Sequence, residues 1–157
     1  MTKVKTTKRL LARVILRSGE KILFAYNKKD AFYFLPGGHV DPNESVSDAL
    51  MRELVEETNL KPTEISAPTL LCVYENTWRD RNTDVFELIL CFSARLKASI
   101  NQESVSSREK HLSFHFLSAK ELGDVDFRPA KMKPMVIESL SSASSNLTYF
   151  PLGGHET

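Results

Sequence analysis

The chain has 157 residues, of which 41% are hydrophobic and 26% are charged, and its formal net charge is +1. These values are typical of a single soluble globular domain that is long enough to bury a substantial core. The near-neutral charge argues against binding of bulk nucleic acid, because such binding requires a strongly basic surface.

An apolar run near the N-terminus, LLARVIL, follows several basic residues. Arg13 interrupts this run, which is also too short for a secretory signal or a membrane span. The two cysteines, Cys72 and Cys91, lie in apolar, strand-like segments, which favours buried free thiols over a disulfide or a catalytic thiol. We therefore expect no membrane partner and a location in the reducing cytoplasm, with export by another kind of signal left open.

The segment before the first predicted helix is expected to be extended. Residues 9–17 and 21–26 are rich in branched and aromatic side chains and predict two strands. Residues 32–35 (FYFL) predict a short extended stretch that leads into the glycine loop PGGHVDPNE. In that loop, Gly37 and Gly38 permit a close approach of the backbone to a ligand or an ion.

A helix is predicted over residues 46–58, which contain no proline and no glycine. Ser45 is placed to cap its N-terminus, and Asp48 is placed to reach back as in a capping box. Asn59 is expected to end the helix, because asparagine tolerates the left-handed conformation that often follows a helix. Apolar residues recur at four-residue spacing along one face of this segment: Val46, Leu50 and Leu54.

The segment after the helix returns to a strand pattern. Residues 69–77 and 84–96 are rich in aromatic and branched side chains, and the polar sequence WRDRN (78–82) predicts the turn between these two strands. Residues 111–117 alternate in polarity and predict one more strand.

Two helices and a tail complete the chain. A short helix is predicted at 118–122 and a longer one at 129–140, although Pro134 argues against a clean start at residue 129. The serine-rich and glycine-containing sequence from 141 to 157 predicts a flexible tail, so that one domain is expected over residues 1–140. Strands mixed with two main helices predict an α/β sandwich with a mixed sheet.

Three glutamates share one face of the predicted helix. Glu53, Glu56 and Glu57 stand at positions i, i+3 and i+4, where like charges destabilise a helix by roughly 0.2–0.5 kcal/mol per pair. A divalent cation would offset this repulsion, because Mg²⁺ takes oxygen ligands from a few carboxylates. The alternative interpretation is an ordinary solvated acidic face.

The wider sequence around these glutamates decides between the two interpretations. From Gly38 to Leu60 it is GHVDPNESVSDALMRELVEETNL, which resembles the signature of the Nudix hydrolase family, G-x5-E-x7-R-E-U-x-E-E-x-G-U, where U is a bulky aliphatic residue. Asn59 stands where the pattern has glycine. Eight positions match: Gly38, Glu44, Arg52, Glu53, Leu54, Glu56, Glu57 and Leu60.

The resemblance implies a Nudix-like α/β/α sandwich and a hydrolase that uses Mg²⁺ or Mn²⁺. Its expected substrate is a small-molecule nucleotide, in which it cleaves the diphosphate linkage between a nucleoside and another group. A nucleotide sugar such as ADP-ribose and a nucleoside triphosphate both stay open. The alternative is a catalytically weak Nudix-fold module that binds or senses nucleotides, and self-association is left open.

The resemblance also implies roles for the residues of the motif. Glu53 is either a third metal ligand or the base that orients the attacking water. Arg52 is expected to orient Glu53 or Glu44, or to form a simple i, i+4 pair with Asp48. Glu44, the third residue assigned to the catalytic group, is expected to stabilise the junction between loop and helix or to contact a metal indirectly, in preference to a direct part in the chemistry. The predicted metal ligands are Glu53, Glu56, Glu57 and the backbone carbonyl of Gly38, with that of Gly37 as an alternative.

Residues outside the motif are assigned less directly. Glu109 is preferred over Glu103 and Glu87 as an extra carboxylate at the site, and a solvated loop charge is an equally good interpretation of it. Histidines 111 and 115 are not expected to bind zinc, because they lie in a predicted strand. The residues predicted to bind substrate are Phe34 and Trp78 for stacking, Arg81 for phosphate, and Glu109. Arg79 and Arg128 are further candidates for phosphate binding, and all three arginines could instead face solvent.

Overall fold

The structure is a computed structural model that describes residues 5–141 and 146–152. Its strands are Lys5–Ser18 (β1), Lys21–Asn27 (β2), Phe32–Phe34 (β3), Gly37–His39 (β4), Thr69–Asp80 (β5), Thr83–Arg95 (β6), Leu112–Leu117 (β7) and Thr148–Phe150 (β8). Its helices are Val46–Glu57 (α1), Ala119–Gly123 (α2) and Lys133–Ser141 (α3). Single turns of 3-10 helix form at Pro62–Glu64, Gln102–Ser104 and Ala130–Met132.

The strands form one mixed sheet in the order β3-β2-β1-β6-β5-β8, with β4 also paired to β1 and β7 also paired to β2. The long central strands β1 and β6 are parallel, whereas β5 and β6 form an antiparallel hairpin. β1 and β2 pair only beside their turn, at Arg17–Ile22 and Ser18–Lys21. Beyond that point they separate, and β4 enters the gap against β1.

A helical layer covers each face of the sheet. On β1 the alternate residues Ala12, Val14 and Leu16 face the core that contains Leu50 and Leu54 of α1. The intervening residues Leu11 and Ile15 face a second core, which contains residues of α2, α3 and the loop between them: Leu122, Phe127, Met132 and Val136. The predicted α/β/α sandwich with a mixed sheet is therefore confirmed.

Helix α1 begins at the predicted Ser45 cap, but without the backbone hydrogen bond that would complete a capping box, and its C-terminal end also differs from the prediction. The Ser45 hydroxyl oxygen accepts a hydrogen bond from the Asp48 backbone N–H at 3.1 Å, while the Asp48 carboxylate accepts from the Ser45 hydroxyl at 2.7 Å. At the other end Thr58 is extended, and its hydroxyl donates to the carbonyl of Leu54 at 2.6 Å. The expected left-handed conformation of Asn59 is wrong, since the described non-glycine residues with positive φ are Ala31, Asn43 and Arg81.

The predicted turn at 78–82 is too long. β5 continues through Asp80 and only residues 81 and 82 form the turn, with Arg81 at a φ of 51°. Two side-chain contacts lie at this end of the hairpin. Arg79 Nε of β5 donates to Asp84 Oδ1 of β6 at 2.8 Å, and the guanidinium of Arg9 on β1 lies 5.3 Å from the centre of the Trp78 ring. A polar composition alone therefore did not break the strands.

The C-terminal part also differs from its prediction. Helix α3 begins at Lys133, in agreement with the argument from Pro134. Thr148–Phe150, within the segment predicted as a flexible tail, pairs in parallel with β5, and the Tyr149 hydroxyl donates to Glu75 at 2.8 Å. Residues 142–145 and 153–157 of that segment lie outside the described residues. In the part of the chain that the structure describes, no helix combines the length and apolarity needed to cross a membrane.

Candidate functional site

Two glycines let strand β4 lie between β1 and helix α1. Gly37 has a φ of 123°, and a Cβ atom there would collide with the backbone carbonyl oxygen of Ala12 on β1. A Cβ atom on Gly38 would collide instead with the side-chain carboxylate of Glu53. The two positions therefore need glycine for different reasons, the first to form the sheet and the second to leave room for a carboxylate.

Glu57 is the most buried carboxylate of α1, with 7% of its surface exposed. Its Oε2 accepts a hydrogen bond from the backbone N–H of Gly37 at 3.1 Å. Burial raises the pKa of Glu57 to about 7, against the opposing effects of the Gly37 N–H and of Arg13. Glu53 and Glu109 add to the rise because their negative charges are close.

Arg13 supplies positive charge from the central strand. Its Nη1 donates to the carbonyl oxygen of Leu35 at 3.1 Å and also to that of Gly37. Its guanidinium lies 5.4 Å from the centre of the Phe34 ring. Burial lowers the pKa of Arg13, and the nearby carboxylates, Glu57 first among them, oppose this shift. Arg13 therefore joins β4, β3 and the buried glutamate in one cluster.

Arg52 binds the other carboxylates of the helix. Its Nε and Nη2 donate to the two oxygens of Glu44 at 3.1 and 2.7 Å, and these hydrogen bonds hold the pKa of Glu44 below its usual range. Its Nη1 donates to Glu53 at 3.1 Å and to Glu56 at 3.2 Å. Asp48, the alternative partner considered from the sequence, instead accepts from Ser45.

The acidic cluster opens into one large cavity of about 920 Å³. Gly38, Glu53 and Glu57 line one part of this cavity, together with Glu109 from the loop before β7. Aromatic side chains line other parts: Phe32, Phe34, Trp78 and Phe127. The volume is within the range of small-molecule sites, about 300–1,000 Å³. The site thus combines carboxylates with aromatic walls.

The family model described as NUDIX domain matches residues 7–136. The chain belongs to the Nudix family. The matched range contains α1, the glycine strand β4 and all of the described cavity-lining residues.

Individual Nudix proteins and related structures resemble parts or all of the chain. A protein from Methanocaldococcus jannaschii named ADP-ribose pyrophosphatase is 36% identical over 78 residues, which are 48% of this chain and 44% of that protein. A Bacillus subtilis protein provisionally named 8-oxo-dGTP diphosphatase is 42% identical over 45 residues, which are 29% of this chain and 30% of that protein. Both alignments therefore span less than half of the relative.

A solved structure gives the fold over nearly the whole chain. The crystal structure of an ADP-ribose pyrophosphatase from Streptococcus suis has a TM-score of 0.62 and 21% identity, and the match covers 91% of this chain and 99% of that one. At this identity the likeness establishes the Nudix fold.

Asn59, which replaces the glycine of the Nudix motif, attaches a distant loop to the end of α1. Its Nδ2 donates to the carbonyl of Ser104 at 2.8 Å, and its Oδ1 accepts from the N–H of Ser106 at 2.9 Å. The Arg108 N–H donates to the carbonyl of Glu57 at 2.9 Å. These bonds hold the loop that places Glu109 beside the Nudix carboxylates.

The Nudix glutamates do not converge as a finished metal site in this structure. Within the described residues, no group of three or more histidine, cysteine, aspartate or glutamate side chains is arranged to hold a metal ion. Arg52 holds Glu53 and Glu56 together, while Glu57 is bonded to the backbone of Gly37. The side chain of Glu56 is 55% exposed, so it has room to change its rotamer.

The predicted substrate-binding residues divide into two groups. Phe34, Trp78 and Glu109 line the cavity. Arg81, at the end of the β5–β6 hairpin, is not among the cavity-lining residues of the described chain, and its role in phosphate binding stays a prediction. Arg128 lines the cavity instead and lies 4.5 Å from the centre of the Phe32 ring.

The candidates for an extra carboxylate and the histidines are also placed. Glu109 and Glu87 line the cavity, whereas Glu103 lies in an exposed 3-10 turn outside its described wall. His111 lines the cavity 3.2 Å from Glu109, and His115 bonds to Ser113 on β7. The sequence did not identify Arg13 as a site residue. The one indication was that this charged residue interrupts the apolar run of a predicted strand.

Proposed function

We propose that this Nudix protein is a metal-dependent hydrolase that cleaves the diphosphate linkage in a nucleoside diphosphate carrying a second group. The observation that carries this proposal is one shared cavity, in which Glu53, Glu57 and Gly38 lie in one part and aromatic side chains in another. Carboxylates can bind a metal ion that in turn binds the phosphates, and aromatic faces can stack on the base of the nucleoside. The named activities of the two partly aligned relatives are of this class.

The donor set fits a hard divalent ion such as Mg²⁺ or Mn²⁺, because it consists of carboxylate and carbonyl oxygens. Glu53, Glu56, Glu57 and the carbonyl of Gly38 would hold the ion, which would neutralise phosphate charge and lower the pKa of a bound water. The carbonyl of Gly38 is preferred to that of Gly37, because the Gly37 carbonyl already accepts a hydrogen bond from Arg13. Arg52 positions Glu44, Glu53 and Glu56 through its four hydrogen bonds to their oxygens.

A nucleotide sugar of the ADP-ribose type is the preferred substrate class. The cavity is large enough for a molecule with groups on both sides of the diphosphate. Its wall also includes polar side chains from outside the Nudix motif, namely Asn76, Glu87 and Arg128. The Methanocaldococcus jannaschii relative carries the name of this activity over the longer alignment. A nucleoside triphosphate is the second candidate, supported by the name of the Bacillus subtilis relative.

The function is tested by product analysis with Mg²⁺ and a panel of ADP-ribose, other nucleotide sugars, nucleoside triphosphates, dinucleoside polyphosphates and NADH. We expect cleavage of one class, and we expect Glu53→Gln to lower kcat by at least about 100-fold, the scale of a lost acid–base or positioning group. The control is Glu20→Gln, an exposed residue in the β1–β2 turn, which should keep full activity.

Two outcomes would contradict this assignment. Undiminished turnover by the Glu53→Gln variant would show that chemistry takes place elsewhere. Tight nucleotide binding by the wild-type protein without cleavage of any panel member would favour the alternative function of a nucleotide-binding module.

The raised pKa of Glu57 predicts how stability depends on pH and metal. Without metal, the contribution of protonated Glu57 to stability is complete below the unfolded value of 4.5 and is lost as the pH rises through about 7. Mg²⁺ binds the ionised form, so we expect the rise in Tm caused by Mg²⁺ to be clearly larger at pH 8 than at pH 6. Thermal unfolding at both pH values measures this difference.

The Glu57→Gln variant provides the control for this prediction, because it cannot ionise at that position. Its Tm without metal should be less sensitive to pH than that of the wild type between pH 5 and 8. An equal Mg²⁺ effect on the wild-type Tm at pH 6 and pH 8 would contradict the coupling between this carboxylate and the metal.

A further inference from the structure

Three polar side chains lie side by side on neighbouring strands of the sheet. Arg9 of β1 is opposite Glu87 of β6, and Glu87 is opposite Asn76 of β5. Asn76 Nδ2 donates to Glu87 Oε2 at 3.0 Å. Arg9 Nη1 lies 3.9 Å from Glu87 Oε1, which is beyond hydrogen-bond range. The carboxylate is thus held on one side and only loosely paired on the other.

Glu87 is a buried charge in the wall of the cavity. It is 8% exposed, and the cavity wall beside it includes Leu11, Ile89 and Trp78. A carboxylate has about four acceptor positions on its two oxygens, and burial of a charge is costly unless hydrogen bonds or ions compensate it. Oε1 therefore keeps the capacity to accept a hydrogen bond from a molecule in the cavity.

The charge of Glu87 decides which part of a nucleotide can lie beside it. A phosphate would be repelled by the buried carboxylate, whereas a neutral hydroxyl or amino group would donate to it. Along β1, Glu87 is level with Arg9 and Gly37 is level with Arg13. Four residues of strand span about 13 Å, so along β1 this contact lies about the length of a nucleoside from Gly37. Trp78 adds an aromatic face next to it.

We propose that Glu87, held in place by Asn76, binds a neutral hydrogen-bond donor of the nucleoside, either a ribose hydroxyl or the exocyclic amine of the base. This inference rests on the proposed function for the identity of the ligand as a nucleotide. It makes Glu87 a specificity residue for the nucleoside and removes it from the candidates for metal binding.

The test is the affinity for AMP, which contains the nucleoside but no diphosphate to cleave. Kd values in Mg²⁺ buffer are measured by calorimetry for AMP and two analogues. The first analogue, 2′-dAMP, lacks the 2′-hydroxyl, and the second, IMP, lacks the exocyclic amine. We expect Glu87→Gln to weaken AMP binding about tenfold, because a neutral amide is a weaker acceptor than a carboxylate. The wild type should bind one of the two analogues about tenfold more weakly than AMP, and this difference should vanish in Glu87→Gln.

The matched control is Glu75→Gln. Glu75 precedes Asn76 on β5 and accepts hydrogen bonds from Tyr149 and from the N–H of Leu152, so its replacement should leave all three Kd values unchanged. Tm values of both variants check that they are folded, and Asn76→Ala, which releases Glu87, should weaken AMP binding in the same direction.

Three results would overturn the inference: wild-type affinity for AMP in Glu87→Gln, no measurable binding of AMP to the wild type, or analogue differences that persist unchanged in the variant. Failure of the proposed function is distinguishable, because it would appear as absence of cleavage across the substrate panel while the Kd pattern for AMP is still obtained.

Discussion

Replacing Arg13 with methionine is expected to lower the free energy of unfolding by about 3 kcal/mol at pH 8, because two hydrogen bonds from a charged donor are lost and each is worth about 1.5–3 kcal/mol. The variant loses hydrogen bonds to the carbonyls of Leu35 and Gly37. It also leaves buried Glu57 without its nearby cation.

The size of this effect should depend on pH. Since the pKa of Glu57 is already about 7 in the presence of Arg13, loss of the cation raises it further and leaves Glu57 protonated in the folded variant at pH 5–6. At pH 5–6 Glu57 is therefore neutral and needs no cation beside it, so the substitution should destabilise the protein less than at pH 8. Chemical denaturation of both proteins without metal at the two pH values measures the difference.

Arg17→Met is the matched control for Arg13→Met. Arg17 lies on the same strand and donates to two carbonyls, those of Ser139 at 3.0 Å and Leu140 at 3.4 Å, with no carboxylate among these partners. Its replacement should cost about 2 kcal/mol, the scale of a hydrogen bond from a charged donor, and the cost should not change between pH 5 and pH 8. Equal pH dependence in the two variants would contradict the assigned link between Arg13 and Glu57.

The parts of this molecule that could be predicted from the sequence are those whose signals are local. The capping serine and the four-residue apolar spacing place α1 at 46–57, one residue shorter than predicted. Alternation and branched residues locate the long strands β1, β2, β5, β6 and β7. The spacing of the motif also brings together Arg52, Glu44 and Glu53, which are in contact in the structure.

Features that depend on distant residues could not be predicted in the same way. Arg13 acts through Leu35 and Gly37, more than 20 residues away, at separations of 22 and 24. Asn59 bonds to a loop at separations of 45 and 47 residues, which no property of the helix end reveals. The strand at 148–150 exists because β5 offers it an edge. Local sequence preferences predict none of these three features, because each depends on a contact with a residue distant in the sequence.

The glycine strand gives the second large expected effect, which separates stability from activity. We expect Gly38→Ala to lower kcat about 100-fold, because its methyl group would displace the Glu53 carboxylate, and a misplacement of about 1 Å at a reacting centre has effects of this size. The obstructing group is the end of a flexible side chain, so Glu53 can rotate away. The free energy of unfolding should therefore change by less than about 1 kcal/mol.

Two other glycines show whether this separation is specific to Gly38. Gly37→Ala places a methyl group against the backbone of β1 at a positive φ and should lower Tm markedly, since a backbone atom cannot rotate away. Gly123→Ala, at the end of α2, has open space around the new Cβ and should alter neither kcat nor Tm appreciably. If Gly38→Ala kept full kcat, Glu53 would not need its observed position against β4. If Gly38→Ala lowered Tm as much as Gly37→Ala, Glu53 would be fixed by packing. The glutamates bound by Arg52 would then contribute mainly to the stability of the fold.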